Sequence, residues 1–302
     1  MKRVTFLSLF GALLLSIMVV SACSTGGTGD TLNNTDVLST AQAANPLPTE
    51  MAGLGLQMTQ SDACLIKEDA SITIDDKQGD LLAWSPVNDE IAYVRPDNGR
   101  WAWFVGDLVM YDIDLNKEVY TSSDLQVFGD LTWSPDGNAI AYVVLDSTRA
   151  IYTARVLNIL TGADVDIFAG TTAKTDDWSS TKGVTNWASE RNVVVTSSCG
   201  LDCARIYNYN IETGVITING EERKNEDPSL TLDNEMTSPD GTYTLAVDTQ
   251  DNLWMANGKT GKAFILLAAT PVEEIKWSVD SRFIALRTAE KIQVYQVGCK
   301  NE

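Results

Sequence analysis

The chain has 302 residues, 44% of them hydrophobic, with 22 Lys+Arg against 41 Asp+Glu and a formal net charge of −19. That length suits one large or two medium domains, and the acidity repels nucleic acid and anionic headgroups, so nucleic acid is excluded as a partner class. Histidine is absent from the sequence, which excludes Ser-His-Asp and Cys-His catalysis, His-ligated zinc and imidazole pH switching.

At the N-terminus, Met1-Lys2-Arg3 is a short positive region and Phe6 to Val20 an apolar run too short for a comfortable membrane span. Val20-Ser21-Ala22-Cys23 then resembles the bacterial lipoprotein lipobox, which implies cleavage before Cys23 and a diacylglycerol on its sulfur. Residues 1–22 are therefore expected to be a signal peptide. Cys23 is expected to anchor an exported protein to a membrane of the cell envelope, each buried methylene contributing ~0.8 kcal/mol. Removing residues 1–22 takes away Lys2 and Arg3 but no acid, which moves the net charge to −21. Residues 24–62 are rich in Gly, Thr, Ser, Asn and Ala and carry no Lys or Arg. They read as a flexible tether that holds the following domain, residues 63–302, roughly 35 Å from the membrane.

From Ser71 onward one hairpin recurs. "LLAWSPVNDEIAYV" begins at Leu81, "LTWSPDGNAIAYVV" at Leu131, "VTNWASERNVVVT" at Val184, "NEMTSPDGTYTLAV" at Asn234 and "IKWSVDSRFIAL" at Ile275. Pro presets φ, Asp bonds its own backbone and Gly takes the positive-φ position of the turn. The aligned residues Trp84, Trp133, Trp187, Thr237 and Trp277 lie 49, 54, 50 and 40 residues apart. A third strand-like run follows each hairpin and a fourth precedes it, from "SITI" at 71–74 to "KIQVYQV" at 291–297. Short strands at this period predict an all-β fold of four-stranded blades: a single β-propeller of five blades, with six as the alternative count.

The W-S-P-D-G turn followed by an I-A-Y-V strand resembles the WD-repeat-like repeat of bacterial TolB-type propellers, over roughly Ser71 to Val297. Unit two matches fully. Unit one lacks the Gly, unit three reads Trp187-Ala188-Ser189-Glu190, unit four replaces Trp by Thr237, and unit five has Val279-Asp280-Ser281 for Pro-Asp-Gly. The resemblance implies an envelope interaction or assembly protein. The α/β domain that precedes the propeller in that family has no counterpart in the expected layout, so membership of its assembly does not carry over.

The first run, Ser71 to Ile74, has no inner strands before it, and the last unit ends at its third strand. The N-terminal strand is therefore expected to complete the last blade, leaving no open edge. Four cysteines remain after Cys23, and an exported chain favours disulfides over metal ligation or free thiols. Cys199 and Cys203 flank a three-residue hairpin loop. Cys64 precedes the expected closing strand and Cys299 follows its antiparallel neighbour, so the pairs Cys199–Cys203 and Cys64–Cys299 fit the topology.

The long connections collect on one face, where Trp101, Trp103, Phe104 and Trp178 fall outside the repeat pattern. Loop aromatics on a fixed scaffold suit a binding platform. A second constellation, Asp80, Asp130, Asp233, Glu235, Glu273 and Glu274, lies at inner-strand starts around the expected channel mouth. Its oxygens suit Ca²⁺ or a basic group, with solvated strand ends as the plain alternative; no other cofactor or metal is expected. The leading expectation is a lipid-anchored, non-enzymatic module that binds an envelope or extracellular protein partner and touches the membrane through its anchor alone. A glycan or small-ligand binder and a carboxylate-based glycoside hydrolase stay open as rivals.

Overall fold

A computed structural model describes residues 57–71, 80–96, 105–122, 126–146, 151–169, 182–199, 203–223 and 236–299. All regular structure among them is β-strand. Two strands precede the repeats, β1 (Gln57–Met58) and β2 (Ala63–Ala70). The first unit is β3 (Leu82–Trp84), β4 (Glu90–Pro96), β5 (Gly106–Asp112) and β6 (Lys117–Thr121). The second is β7 (Val127–Trp133), β8 (Ala139–Asp146), β9 (Ile151–Asn158) and β10 (Asp164–Asp166). The third is β11 (Lys182–Ser189), β12 (Asn192–Ser198), β13 (Cys203–Asn210) and β14 (Ile216–Arg223). In the fourth, the described part of the inner strand makes one bridge, Thr237 to Thr244, beside β15 (Tyr243–Val247), β16 (Leu253–Asn257) and β17 (Lys262–Leu267). The fifth is β18 (Glu274–Trp277), β19 (Phe283–Arg287) and β20 (Lys291–Val297), with β2 as its outer strand.

Each unit is an antiparallel meander, and a single bridge, Gly106 to Val127, joins the first two units into one sheet. The second strands of units one, two and five are apolar almost throughout because both of their faces are buried, whereas β12 alternates between buried and half-buried residues. Along β8, Ile140, Tyr142 and Val144 pack with Leu108 and Met110 of the first unit, while Ala139, Ala141 and Val143 pack with Val193, Val195 and Tyr207 of the third. Along β4, Ala92 and Val94 face the second unit, and Ile91 and Tyr93 face Phe283, Ala285 and Val294 of the fifth. A further cluster joins Leu253 and Phe264 of the fourth unit to Ile275 and Ile284 of the fifth. Alternation of side chains across a strand thus builds a core from inter-sheet layers. The described clusters link the units in the order four, five, one, two, three. The remaining face of the fourth, with Trp254 and Ala256, forms a cluster without a described member from the third.

The closing strand is displaced from its expected place. The strand that flanks β20 is formed by the eight residues before Ser71, with Ala63 opposite Val297 and Ala70 opposite Lys291, and residues 72–74 lie outside the described residues. Of the expected strand only Ser71 is described, its amide bonded to the Glu290 carbonyl. Cys64 therefore lies within the strand rather than ahead of it, and it is bonded to Cys299 with 6.0 Å between Cα atoms. The reason is a set of partners far away in sequence. Lys67 and Asp69 on β2 meet Glu118 on β6 and Arg95 on β4, with Arg95–Glu118 at 2.8 Å and Arg95–Asp69 at 3.5 Å. The Tyr93 hydroxyl also donates to Asp69 at 3.0 Å. β2 is thus tied to the fifth unit by its backbone and to the first by its side chains. The second disulfide, Cys199–Cys203, spans 5.1 Å between Cα atoms at the β12–β13 end.

The last residues of the expected tether are also part of the fold. β1 pairs in parallel with β17 at the outer edge of the fourth unit, giving a four-stranded sheet in the order β1-β17-β16-β15, with the Thr59 amide donating to the Ala263 carbonyl at 2.9 Å.

Candidate functional site

The repeat tryptophans end the inner strands, and three of them share one contact. Trp84 Nε1 donates to the Lys276 carbonyl at 3.0 Å, Trp133 Nε1 to that of Ala83 at 3.1 Å, and Trp187 Nε1 to that of Thr132 at 3.1 Å. In each case the acceptor immediately precedes the aligned tryptophan of the neighbouring unit. The indole thus buries its ring and satisfies its one donor across a sheet boundary. Thr237 stands at this position in the fourth unit and has no indole to continue the series. Trp277 stacks on Tyr243 of the fourth unit, with centroids 6.0 Å apart.

The carboxylates expected at the channel mouth take up the same task. Glu274 is buried. Its Oε1 accepts from the amides of Leu81 and Leu82, each at 3.1 Å, and its Oε2 from Arg287 Nε at 3.0 Å. Burial raises its pKa to about 7. The positive charges of Arg287 and Lys276 oppose that rise, and Asp80 reinforces it. Arg287 also pairs with Glu273, and Asp80 pairs with Lys276 at 3.3 Å. Asp130, in the left-handed region at φ 54°, accepts from the Val184 amide at 3.1 Å and so ties β7 to β11. Glu274 is therefore neither a solvated strand end nor an open ligand. Asp80, Asp130 and Glu273 likewise have partners. Asp233 and Glu235 lie outside the described residues, as do Trp101, Trp103, Phe104 and Trp178. Among the described residues, no group of three or more acidic or cysteine side chains is placed to hold a metal ion.

Two concavities open beside this framework. One, of about 240 Å³, lies along the inner strands and is lined by Asp80, Trp84, Thr132, Trp133 and Lys276. The other, of about 520 Å³, lies where the first turns of units one and five meet, between Val87, Asp89, Glu90 and Asp112 on one side and Val279 and Arg282 on the other. Sequence reasoning did not single out this groove. Its signal was present in the turns of units one and five, both of which depart from Ser-Pro-Asp-Gly.

The turns that keep the Ser and the Asp of the pattern show what those two residues do. Ser134 Oγ donates to Asp136 at 2.6 Å and accepts from the Ala139 amide at 2.9 Å; Ser238 repeats this with Asp240 and Tyr243, and Ser278 with Asp280 and Phe283. Gly137 sits at φ 70° in this turn, and a Cβ there would lie 2.3 Å from Val87 of the neighbouring unit. Unit two therefore needs its glycine for conformation and for close approach alike.

No protein-family model matches the sequence, and no curated protein matches it. Solved structures do resemble its fold. TolB from Acinetobacter baumannii is 14% identical at a TM-score of 0.33, over 72% of this chain and 54% of that one, so the chain spans about half the length of that protein. The β-propeller domain of Cps50 (Swd1) from Myceliophteria thermophila is 12% identical at 0.30, over 72% of this chain and 65% of that one. An oligogalacturonate lyase in complex with manganese is 14% identical at 0.28, over 74% and 78%. At these scores the fold assignment rests on this chain's own repeats and sheets.

Proposed function

We propose that the chain is a five-bladed propeller, anchored in the bacterial cell envelope through a lipid on Cys23, which binds a protein partner and does not turn it over. The observation that carries this reading is the use made of the inner-strand carboxylates. Asp80, Asp130 and Glu274 stand in ion pairs or hydrogen bonds that hold neighbouring sheets together, Glu273 braces the Arg287 that Glu274 also holds, and the repeat tryptophans bridge sheets in the same way. A carboxylate hydrolase needs one protonated and one ionised group facing a common space. A binding module needs a rigid frame that presents loops, and bonds across sheet boundaries supply one. The frame is completed by β2 on β20 and by Cys64–Cys299. Trp101, Trp103, Phe104 and Trp178 are assigned to partner recognition on the face that carries the long connections.

The test is cross-linking and pull-down from membranes, run beside a glycan array. Replacing Trp101, Trp103 and Trp178 by Ala should abolish capture of the partner while leaving the thermal midpoint within about 2 °C, as for surface substitutions. A large drop in midpoint would assign those rings to the core, and capture that survives their loss would move the site elsewhere. Cys23→Ala should shift the protein from the detergent-dependent to the soluble envelope fraction.

A further inference from the structure

Exposed apolar side chains gather on the face opposite the long connections. Five of the large ones exposed among the described residues sit in the short turns of that face: Val87, Leu115, Leu160, Val215 and Val279, at 53–76% exposure. Two of them, Val87 and Val279, flank the 520 Å³ groove between units one and five. Both occupy repeat positions where the fully matching turn is polar or closed by proline: Val87 aligns with Asp136, and Val279 with Pro135. An apolar residue on a solvent-facing turn gains nothing for the turn itself, and paired across a concavity it suits a partner's side chain.

We propose that this groove docks an extended segment of a partner protein whose side chains alternate between cationic and apolar. Charge selects the occupant. The groove is lined by Asp89, Glu90, Asp112, Asp114 and Asp280 against the single cation Arg282. Arg282 pairs with Asp89 and with Asp280, its guanidinium 5.1 Å from the centroid of the Phe283 ring. The chain thus already holds one guanidinium in the manner an incoming one would be held, between carboxylates and over an aromatic face. Glu90, Asp112 and Asp114 remain in excess. Glu90 and Asp112 are directly opposed across the β4–β5 ladder, an arrangement that costs stability when both are charged. Burial and the neighbouring Asp112 both raise the proton affinity of Glu90, so a cation between them relieves a strain the free protein carries. A second copy of this chain, with net charge −19, is repelled from such a groove, as is an anionic membrane. This site is built from the first turns of units one and five and the β4–β5 ladder, all of them described residues.

The probe is a fluorescein-labelled hexapeptide of alternating Arg and Val, titrated by anisotropy against the detergent-solubilised full chain. The controls are a Glu–Val and an Arg–Ser hexapeptide. The Arg–Val peptide should bind and lose affinity as salt is raised, and the Glu–Val peptide should not bind. Glu90→Gln with Asp114→Asn should weaken the Arg–Val peptide about tenfold, as for removal of paired interfacial charges. Should that pair lower the thermal midpoint, Asp114→Asn alone, in an exposed turn, gives the same readout at about threefold. Val279→Ser should weaken the Arg–Val peptide while leaving the Arg–Ser peptide unchanged. Equal binding of the Glu–Val peptide, or unaltered affinity in the charge variants, overturns the proposal. Loss or retention of the loop-face partner in the tryptophan variants has no bearing on this result, so the two assignments fail independently.

Discussion

The two disulfides close loops of very different size, and this contrast yields a quantitative prediction. Cys64 and Cys299 are separated by 235 residues, Cys199 and Cys203 by 4. In the chain-entropy account a cross-link stabilises by restricting the unfolded chain, as the logarithm of the loop length. That gives about 5 kcal/mol for the long loop and about 2 kcal/mol for the short one. At 2–4 °C per kcal/mol for a domain of this size, Cys64→Ser/Cys299→Ser should lower the thermal midpoint by about 10–20 °C, and Cys199→Ser/Cys203→Ser by about 4–8 °C. The native fold of the first variant should survive, because the β2–β20 ladder and the Lys67, Asp69, Arg95 and Glu118 group remain. Urea unfolding followed by tryptophan fluorescence, without reductant, separates the two effects. Freed of the long cross-link, the unfolded chain expands, so the denaturant slope should also rise for the first variant and stay constant for the second. Equal losses from the two pairs, or a long-loop variant as stable as the parent, would refute the entropic reasoning.

Other outcomes follow from the clasps between sheets. Trp133→Phe keeps a ring in the core but removes the Nε1–H bond to the Ala83 carbonyl across the sheet boundary, and should cost about 0.5–1.5 kcal/mol in calorimetry. Glu274 has a pKa raised above that of the unfolded chain, so between about pH 4.5 and about 7 the folded state alone holds the proton and its contribution to stability falls as pH rises. Glu274→Gln should flatten that slope, at most about 1.4 kcal/mol per pH unit; an unchanged profile would assign the slope to other groups. Asp248 behaves oppositely. Burial would raise its pKa, but donors from Trp254 and Asn252 outweigh that and hold it at about 2, so its contribution is present above about pH 4 and is lost as pH falls toward 2. Asp248→Asn should therefore narrow the acid side of the stability curve. Gly137→Ala should destabilise by about 1–3 kcal/mol through strain and overlap, and a Val87→Ala background should recover the overlap part but not the strain from positive φ.

The parts of this fold that are legible in the sequence are those set by local chemistry. The Ser-Pro-Asp-Gly turns specify themselves through neighbouring side chains, and the doubly buried strands β4, β8 and β19 announce themselves as apolar runs. Both cysteine pairings follow from where those hairpins end. The closing strand was displaced because local propensity favours "SITI", rich in β-branched residues, over "ACLIKEDA". The latter becomes a strand only through β20, Arg95 and Glu118, all distant in sequence. The bonds of Glu274 are illegible for the same reason: its amide partners at Leu81 and Leu82 lie more than 190 residues away. The groove between units one and five went unseen because it belongs to neither turn alone.

The pairing of β2 with β20 also sets a schedule. Synthesis delivers β2 well ahead of its partner, since Ala70 and Lys291 are 221 residues apart. At roughly 5–20 residues per second, β2 waits on the order of ten to forty seconds for the strand it will flank. For that interval its amides have only water and transient neighbours, and the final sheet has no outer edge. Sequence-distant pairing of this kind is slow to find. A cell that makes this protein must keep its leading segment from pairing elsewhere until the trailing one arrives.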